Sequence, residues 1–257
     1  MEQATSQPLT GDVGSIMSIH SHRVRTARTG STAVPIQSKQ IYGPLARNAR
    51  KLLCGLSKPY TCTFHPLREP CVYVCRHLNM HGPFTTLKWI PTELHPFVLN
   101  VFMDEKSAVK QFTEYTFSER RGRKPMRFSL CGTLLGNLAA KIVRSLQSVP
   151  VYRDSSSIKT MQSAMHYLQN GDSLIVWPDV NYTDGYDKPC EIYQGFLYLG
   201  EVYHKKTGKE LPFIPLYIDD ADRIISAGVP LVINQYAQDC ESAVRELKQA
   251  LNGDFAP

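Results

Sequence analysis

The sequence predicts an α/β fold: a single-domain sandwich in which helices flank a largely parallel central sheet. Three observations predict it. Short runs of β-forming residues alternate with segments of helical apolar spacing along most of the chain past residue 40. No internal repeat and no clear linker interrupts residues 41–257. The full length of 257 residues is enough for one large α/β domain.

The elements follow in order. Residues 1–40 are rich in Ser, Thr, Gln and Arg, and residues 20–31 (HSHRVRTARTGS) carry basic charge without apolar periodicity, so a disordered or loosely docked basic tail is expected. Residues 45–56 (LARNARKLLCGL) form an amphipathic helix with Leu45, Ala49, Leu52, Leu53 and Leu56 on one face and Arg47, Arg50 and Lys51 off it. That face is either a foot on an anionic membrane or a packing surface for the core. Residues 71–75 (CVYVC) read as a short buried strand, broken from the next helix at Gly82 and Pro83.

Residues 97–103 (FVLNVFM) read as a second strand, with Asp104 capping a helix that runs to about residue 117. A long apolar helix over 130–146 contains Gly132 and Gly136, small residues that permit close approach. Strands are expected at 149–152 and 173–177, around a helix capped by Ser155 or Ser156 and ended by Gly171. A polar loop, 179–189, precedes a helix over 191–205, a strand over 213–218 with an internal proline, and a hairpin between Arg223 and Ile233. The last helix starts near Asp239, with Val244, Leu247 and Leu251 on one face.

Composition narrows the function. A net charge of +6 suggests an anionic partner. Seven scattered cysteines fit reduced cytosolic thiols rather than a disulfide framework. No apolar run reaches the ~20 residues of a membrane span, and no secretory signal is visible, so a cytoplasmic protein is expected, peripheral at the inner face of a membrane if it meets one. The phosphate-binding loop, the dinucleotide fingerprint and the serine-hydrolase elbow are absent from the sequence.

His77 stands where the apolar run 71–75 ends and a helix can begin. The carboxyl end of a strand is where open α/β sheets receive ligands. His77 is either satisfied by loop backbone or placed to carry a proton near neutral pH. Cys71, Cys75, His77 and His81 do not suit a metal: on a strand the two thiols stand ~13 Å apart, at ~3.3 Å per residue. No metal is expected.

Four segments taken together, RHLNMHGP (76–83), VPVYRD (149–154), LQNGDSLIVWPD (168–179) and ELPFIPLYI (210–218), resemble in order and spacing the glycerolipid acyltransferase family, the lysophospholipid and glycerol-phosphate acyltransferases. The family pattern runs N-H-x-x-x-x-D, then a strand ending in arginine, then L-x-x-G-x-x-L-x-x-F-P-E-G-T-R, then V-P-[IV]-x-P-V. The resemblance covers about residues 72–218. It implies that His77 is the catalytic histidine and Arg153 the arginine that binds the acceptor's phosphate. Trp177, Pro178 and Asp179 match the F-P-E triplet, with Asp for Glu, and Phe213, Ile214 and Pro215 match the late apolar strand.

The implied roles make chemical sense. Acyl transfer from a thioester needs a base for the attacking hydroxyl and donors for the oxyanion. A guanidinium at a helix N-terminus clamps a phosphate, and Asp179 is available to hold a substrate hydroxyl or to orient the Arg153 loop. The alternatives are bland: Arg153 in a surface pair with Asp154, and Asp179 as a turn cap. The departures also matter. Gly82 occupies the position of the family's aspartate, which holds the imidazole in its working tautomer; a comparable loss in a protease triad costs about four orders of magnitude. A backbone carbonyl, Asp104, Asp179 or His81 would have to orient His77 instead, with Asn79 able to assist. The E-G-T-R stretch is replaced by DVNYTD (179–184), where Asn181 and Asp184 are available to polyol hydroxyls.

The basic segment 119–127 (ERRGRKPMR) is a solvated loop, a membrane contact or a meeting point for the phosphates of an acyl donor; no nucleic-acid motif accompanies it. The expected function is an O-acyltransferase that moves a fatty acyl group from acyl-CoA or acyl carrier protein to a hydroxyl of a phosphate-bearing lysolipid, with His77 as base. No cofactor is expected beyond that co-substrate. The alternative is an inactive module of the same fold that binds lipid or acyl carrier.

Overall fold

The structure is a computed structural model and describes residues 39–113 and 129–253. The expected tail, apart from its last two residues, the basic segment 119–127 and the far end of the helix after Asp104 lie outside the described residues. Those described belong to one unit, Pro35–Pro257.

The described elements are α1 (Pro44–Gly55), β1 (Thr61–Cys62), β2 (Val72–Cys75), α2 (His81–Trp89), β3 (His95–Leu99), α3 (Glu105–Lys110), α4 (Ser129–Ser145), β4 (Val149–Val151), α5 (Ser157–Gln169), β5 (Leu174–Val176), α6 (Tyr198–Thr207), β6 (Pro212–Asp219), β7 (Ile224–Ala227), β8 (Leu231–Val232) and α7 (Tyr236–Leu251). Short 3-10 turns precede α2 and α6.

The sheet runs β1-β7-β6-β2-β5-β3-β4, with β8 on the free stretch of β6. The pairs β2·β5, β2·β6, β3·β5, β3·β4 and β1·β7 are parallel, whereas β7 and β8 run antiparallel to β6. The fold is thus α/β with a mostly parallel mixed sheet. β2 and β5 are buried along their whole length, which is why both read as continuous apolar runs. Their alternate side chains enter two cores. Val72, Val74, Leu174, Val176 and Phe213 pack with α5, α6 and α7. Tyr73, Cys75, Ile175, Ile214 and Leu216 pack on the opposite face, with Ile90, Leu94 and Leu87 of the α2 region.

Several expectations shift by a few residues. β3 begins at His95, earlier than expected, and ends at Leu99. Asp104 caps α3, accepting the Ser107 amide at 2.9 Å. Ser156 precedes α5 without a side-chain cap, and its amide donates to the Asp154 carboxylate at 2.8 Å. The α6 helix starts only at Tyr198. β7 and β8 do not form a hairpin with each other; both pair with β6. That split explains Pro215 inside β6. Its carbonyl accepts the Gly228 amide at 2.8 Å, so its nitrogen faces the stretch between the two ladders, where no partner needs an N–H.

Close approach is visible at Gly136, where a Cβ would stand 2.6 Å from the Cα of Val109; this is how α4 lies against α3. α1 rests on the domain through Ala46 and Arg50, whose guanidinium donates to the carbonyls of Lys88 and Ile90 at 3.1 and 2.6 Å. Its leucine stripe faces outward, with Leu52 64% and Leu56 75% exposed. No helix among the described residues is long and apolar enough to cross a membrane.

Candidate active site

The site is built on the carboxyl ends of the adjacent strands β2 and β5. β2 continues into Arg76 and His77. Val72 and Val74 face the α7 side, so Arg76, in the same phase, is driven inward and is 1% exposed. A guanidinium there needs a full set of acceptors. It finds Asp179 Oδ1 at 3.4 Å, the Lys188 carbonyl at 3.2 Å and Asn252 Oδ1 at 3.0 Å, with the Tyr186 ring 5.2 Å from its Cζ.

Asp179 follows β5 by way of Trp177 and Pro178. It is 6% exposed, and its second oxygen accepts the His77 amide at 2.7 Å. Burial pushes its pKa above the usual carboxylate range, and the His77 amide and the Arg76 charge only partly offset this. Asp179 therefore joins the segment after β2 to the segment after β5. The loop it opens is closed by an Asp179–Ile192 bridge and by the Tyr193 amide on the Pro178 carbonyl at 2.8 Å.

After His77 the chain makes a left-handed turn: Leu78, Asn79 and Met80 have φ of 46°, 52° and 76°. Such backbone costs of order 1–3 kcal/mol per non-glycine residue, and it clusters at active sites. Three hydrogen bonds hold it. The Asn79 amide donates to the Tyr182 carbonyl at 2.6 Å, the Gly82 amide to the His77 carbonyl at 3.1 Å, and the Met80 amide to His77 Nδ1 at 3.2 Å. With Nδ1 accepting, the neutral His77 ring carries its proton on Nε2. The ring meets Tyr182 edge-on at 5.4 Å.

Gly82 is required by this turn. A Cβ there would stand 1.8 Å from the Arg76 carbonyl oxygen, so neither aspartate nor any other side chain fits. The next histidine, His81, has its Nε2 2.8 Å from Asp220 Oδ1. Tyr60 donates to the same oxygen at 2.7 Å. Burial, then the hydrogen bond to Asp220, pushes the Tyr60 pKa up to about 12. Asp220 follows β6, the neighbour of β2, at the same edge of the sheet.

Arg153 follows β4, three strand positions from β2 and so about 14 Å along the edge at ~4.8 Å per strand. It is exposed and lies 5.3 Å over the Tyr193 ring, which ties it to the β5 loop. Among the described residues it makes no ion pair, with Asp154 or any other acid. Asn181 is exposed on the same loop, while Asp184 is engaged by Lys188 at 3.1 Å. Cavities of about 300 Å³, lined by Pro150, Gln162, Ser163, His166 and Tyr167, and about 610 Å³, between α3 and α4, include none of these site residues in their linings. No group of three or more His, Cys, Asp or Glu among the described residues could hold a metal ion.

Sequence reasoning assigned no role to Arg76, Tyr60 or Asp220. For Arg76 a signal existed: an arginine in phase with the valines of a buried strand must be paired inside. For Asp220 and Tyr60 there was none beyond position.

No family model and no curated protein matches the chain. Among solved structures it is similar to the crystal structure of the 1-acyl-sn-glycerophosphate (LPA) acyltransferase PlsC from Thermotoga maritima, at 12% identity and a TM-score of 0.47, over 83% of this chain and 79% of that one.

Proposed function

We propose that the protein is an O-acyltransferase. It moves a fatty acyl group from acyl-CoA or acyl carrier protein to a hydroxyl of a phosphate-bearing lysolipid. The observation that carries this reading is the bond from the His77 amide to the Asp179 carboxylate. It fastens together, at the ligand-receiving edge of the sheet, the histidine and the triplet-derived acid that the four-segment resemblance links. Arg153, free of an ion pair among the described residues and held over Tyr193, is the clamp for the acceptor's phosphate. The resting His77 ring is set to donate from Nε2, which suits the oxyanion of a tetrahedral intermediate. To serve as base at Nδ1 it would first have to lose the Met80 amide. The outward leucines of α1, beside Arg47, Lys51 and Lys58, suit a peripheral stay on an anionic membrane, where lysolipid acceptors reside.

The test supplies labelled acyl-CoA or acyl carrier protein with lysophospholipids to the purified chain and to His77→Ala. Product from the wild type, with a large loss in the variant, is expected. Equal turnover by both would remove His77 from the chemistry.

A second reading is favoured by the occupied Nδ1 and by Gly82: a module of this fold that binds lipid or acyl carrier without turnover. Thermal stabilisation by lysolipid with no product over hours would select it.

A further inference from the structure

We propose that His81, oriented by Asp220, is the general base of this site, and that His77 is its hydrogen-bond donor. The identity of the proton removed rests on the acyl-transfer reading; the setting of the two rings does not.

The two histidines leave one turn but are bonded at different nitrogens. Met80 donates to Nδ1 of His77, so the lone pair of that ring is used and its other nitrogen is a donor. His81 is bonded the other way round. A carboxylate only accepts, so Nε2, 2.8 Å from Asp220 Oδ1, carries the proton and Nδ1 carries the lone pair. No described residue bonds His81 at Nδ1, and the side chain is 37% exposed, open to a substrate. A base needs one nitrogen anchored and the other bare, and His81 meets both conditions.

The anchor is itself held. Asp220 has a 60% exposed side chain, and an isolated surface pair of that kind would contribute little. Here Tyr60 donates to the same carboxylate oxygen at 2.7 Å. The Tyr60 ring lies under the Arg223 guanidinium, 4.6 Å from its Cζ. Arg223 in turn donates to the carbonyls of Lys58 and Pro59 at 2.9 and 3.2 Å. This chain of contacts fixes a surface carboxylate against rotation. Asp220 thus supplies, from the end of β6, the partner that position 82 has no room for. Exposed Met80 and Phe84 adjoin His81, at 43% and 50%, and offer apolar contact to an acyl chain.

The step balances. The acceptor hydroxyl gives its proton to His81 Nδ1 as its oxygen forms a bond to the thioester carbonyl carbon. The oxyanion so formed accepts from His77 Nε2–H. Collapse of the intermediate breaks the C–S bond, and the leaving thiolate takes the proton back from His81. Ester and thiol are the products.

The experiment has two arms on the full chain. In the first, acyl transfer to lysophosphatidate is measured for wild type, His81→Gln, Asp220→Asn and Tyr60→Phe. A kcat loss of roughly 10²–10⁴ is expected for His81→Gln, with a smaller one for Asp220→Asn, a slight one for Tyr60→Phe, and little change in KM. Turnover by His81→Gln within a factor of about three of wild type overturns the proposal. In the second arm, diethyl pyrocarbonate, which attacks bare imidazole nitrogens, is followed by peptide mass. His81 is expected to react before His77 in the wild type, and more slowly in Asp220→Asn. Reaction at His77 first overturns the assignment. If the wild type makes no product, it is the acyl-transfer reading that fails, and the second arm alone decides whether His81 is the basic ring.

Discussion

Arg76 and Asp179 form a buried ion pair beneath the turn that carries His77, with their side chains 1% and 2% exposed and Nε 3.4 Å from Oδ1. Each also serves a second purpose. Arg76 closes the end of α7 through Asn252, and Asp179 holds the His77 amide. The pair is a structural lock between two loops, and Asp179, the match to the acid of the F-P-E triplet, has one oxygen on Arg76 and the other on the His77 amide.

Removing one partner leaves a buried, uncompensated charge, which costs about 3–5 kcal/mol. Asp179→Asn is therefore expected to lower the stability by that order, and more than Asp184→Asn, which breaks only a surface pair. Urea unfolding of the two variants checks this. Equal losses would contradict the lock.

Placing at position 82 the aspartate of the family that the sequence resembles is expected to do harm. Gly82→Asp and Gly82→Ala both drive a Cβ into the Arg76 carbonyl, and the turn must open to admit it. Overpacking of this kind costs typically about 1–3 kcal/mol. The expected outcome is a lowered Tm for both substitutions with no gain in acyl transfer. A Gly82→Asp protein that is as stable as wild type and faster would show that the turn rearranges freely.

Much of the fold was legible because β2, β5 and β6 bury both faces and carry apolar residues at nearly every position. Asp104 was legible as a cap for a local reason, the carboxylate reaching an amide three residues on. Sheet order was not: β5 inserts between β2 and β3, a pairing that no local pattern encodes. The candidate site divides the same way. His77 could be seen at a strand end. The contacts around it, Asp179 to its amide and Asp220 to the neighbouring His81, join residues 102 and 139 positions apart, beyond the reach of any sequence window. The leucine stripe of α1 was visible as a stripe, but only packing could tell which face turned outward.

That outward stripe carries a prediction for membrane binding. Leu52 and Leu56 are exposed beside Lys51 and Lys58, and residues 44–58 contain no acid. Each basic residue near an anionic surface contributes about 1 kcal/mol. Leu52→Glu with Leu56→Glu is expected to reduce co-sedimentation with phosphatidylserine vesicles at least tenfold, by about 1.4 kcal/mol or more. Added salt is expected to weaken the wild type. Unchanged sedimentation would free α1 from this role.

His95 sets a pH dependence of stability at the opposite end of the sheet. It opens β3, is 1% exposed, and stacks on Tyr167 at 3.6 Å. Its Nδ1 lies 2.7 Å from the Gln147 carbonyl, which only accepts, so Nδ1 carries the proton. Nε2 has no hydrogen-bond partner among the described residues; Asp172 stands 3.5 Å away and is itself held by Lys39 at 2.7 Å. Burial lowers the His95 pKa from 6.5, against the opposing pull of Gln147 and Asp172. The unfolded chain therefore takes up a proton first as pH falls below 6.5, and the folded chain only later. Through that window the unfolded state binds more protons, so stability is lost on acidification. His95→Asn keeps a donor for Gln147 and removes the titration. It is expected to be less stable near neutral pH yet to lose less on moving to about pH 5. Urea midpoints of both proteins at the two pH values decide it, and parallel losses would show that His95 is not the group responsible.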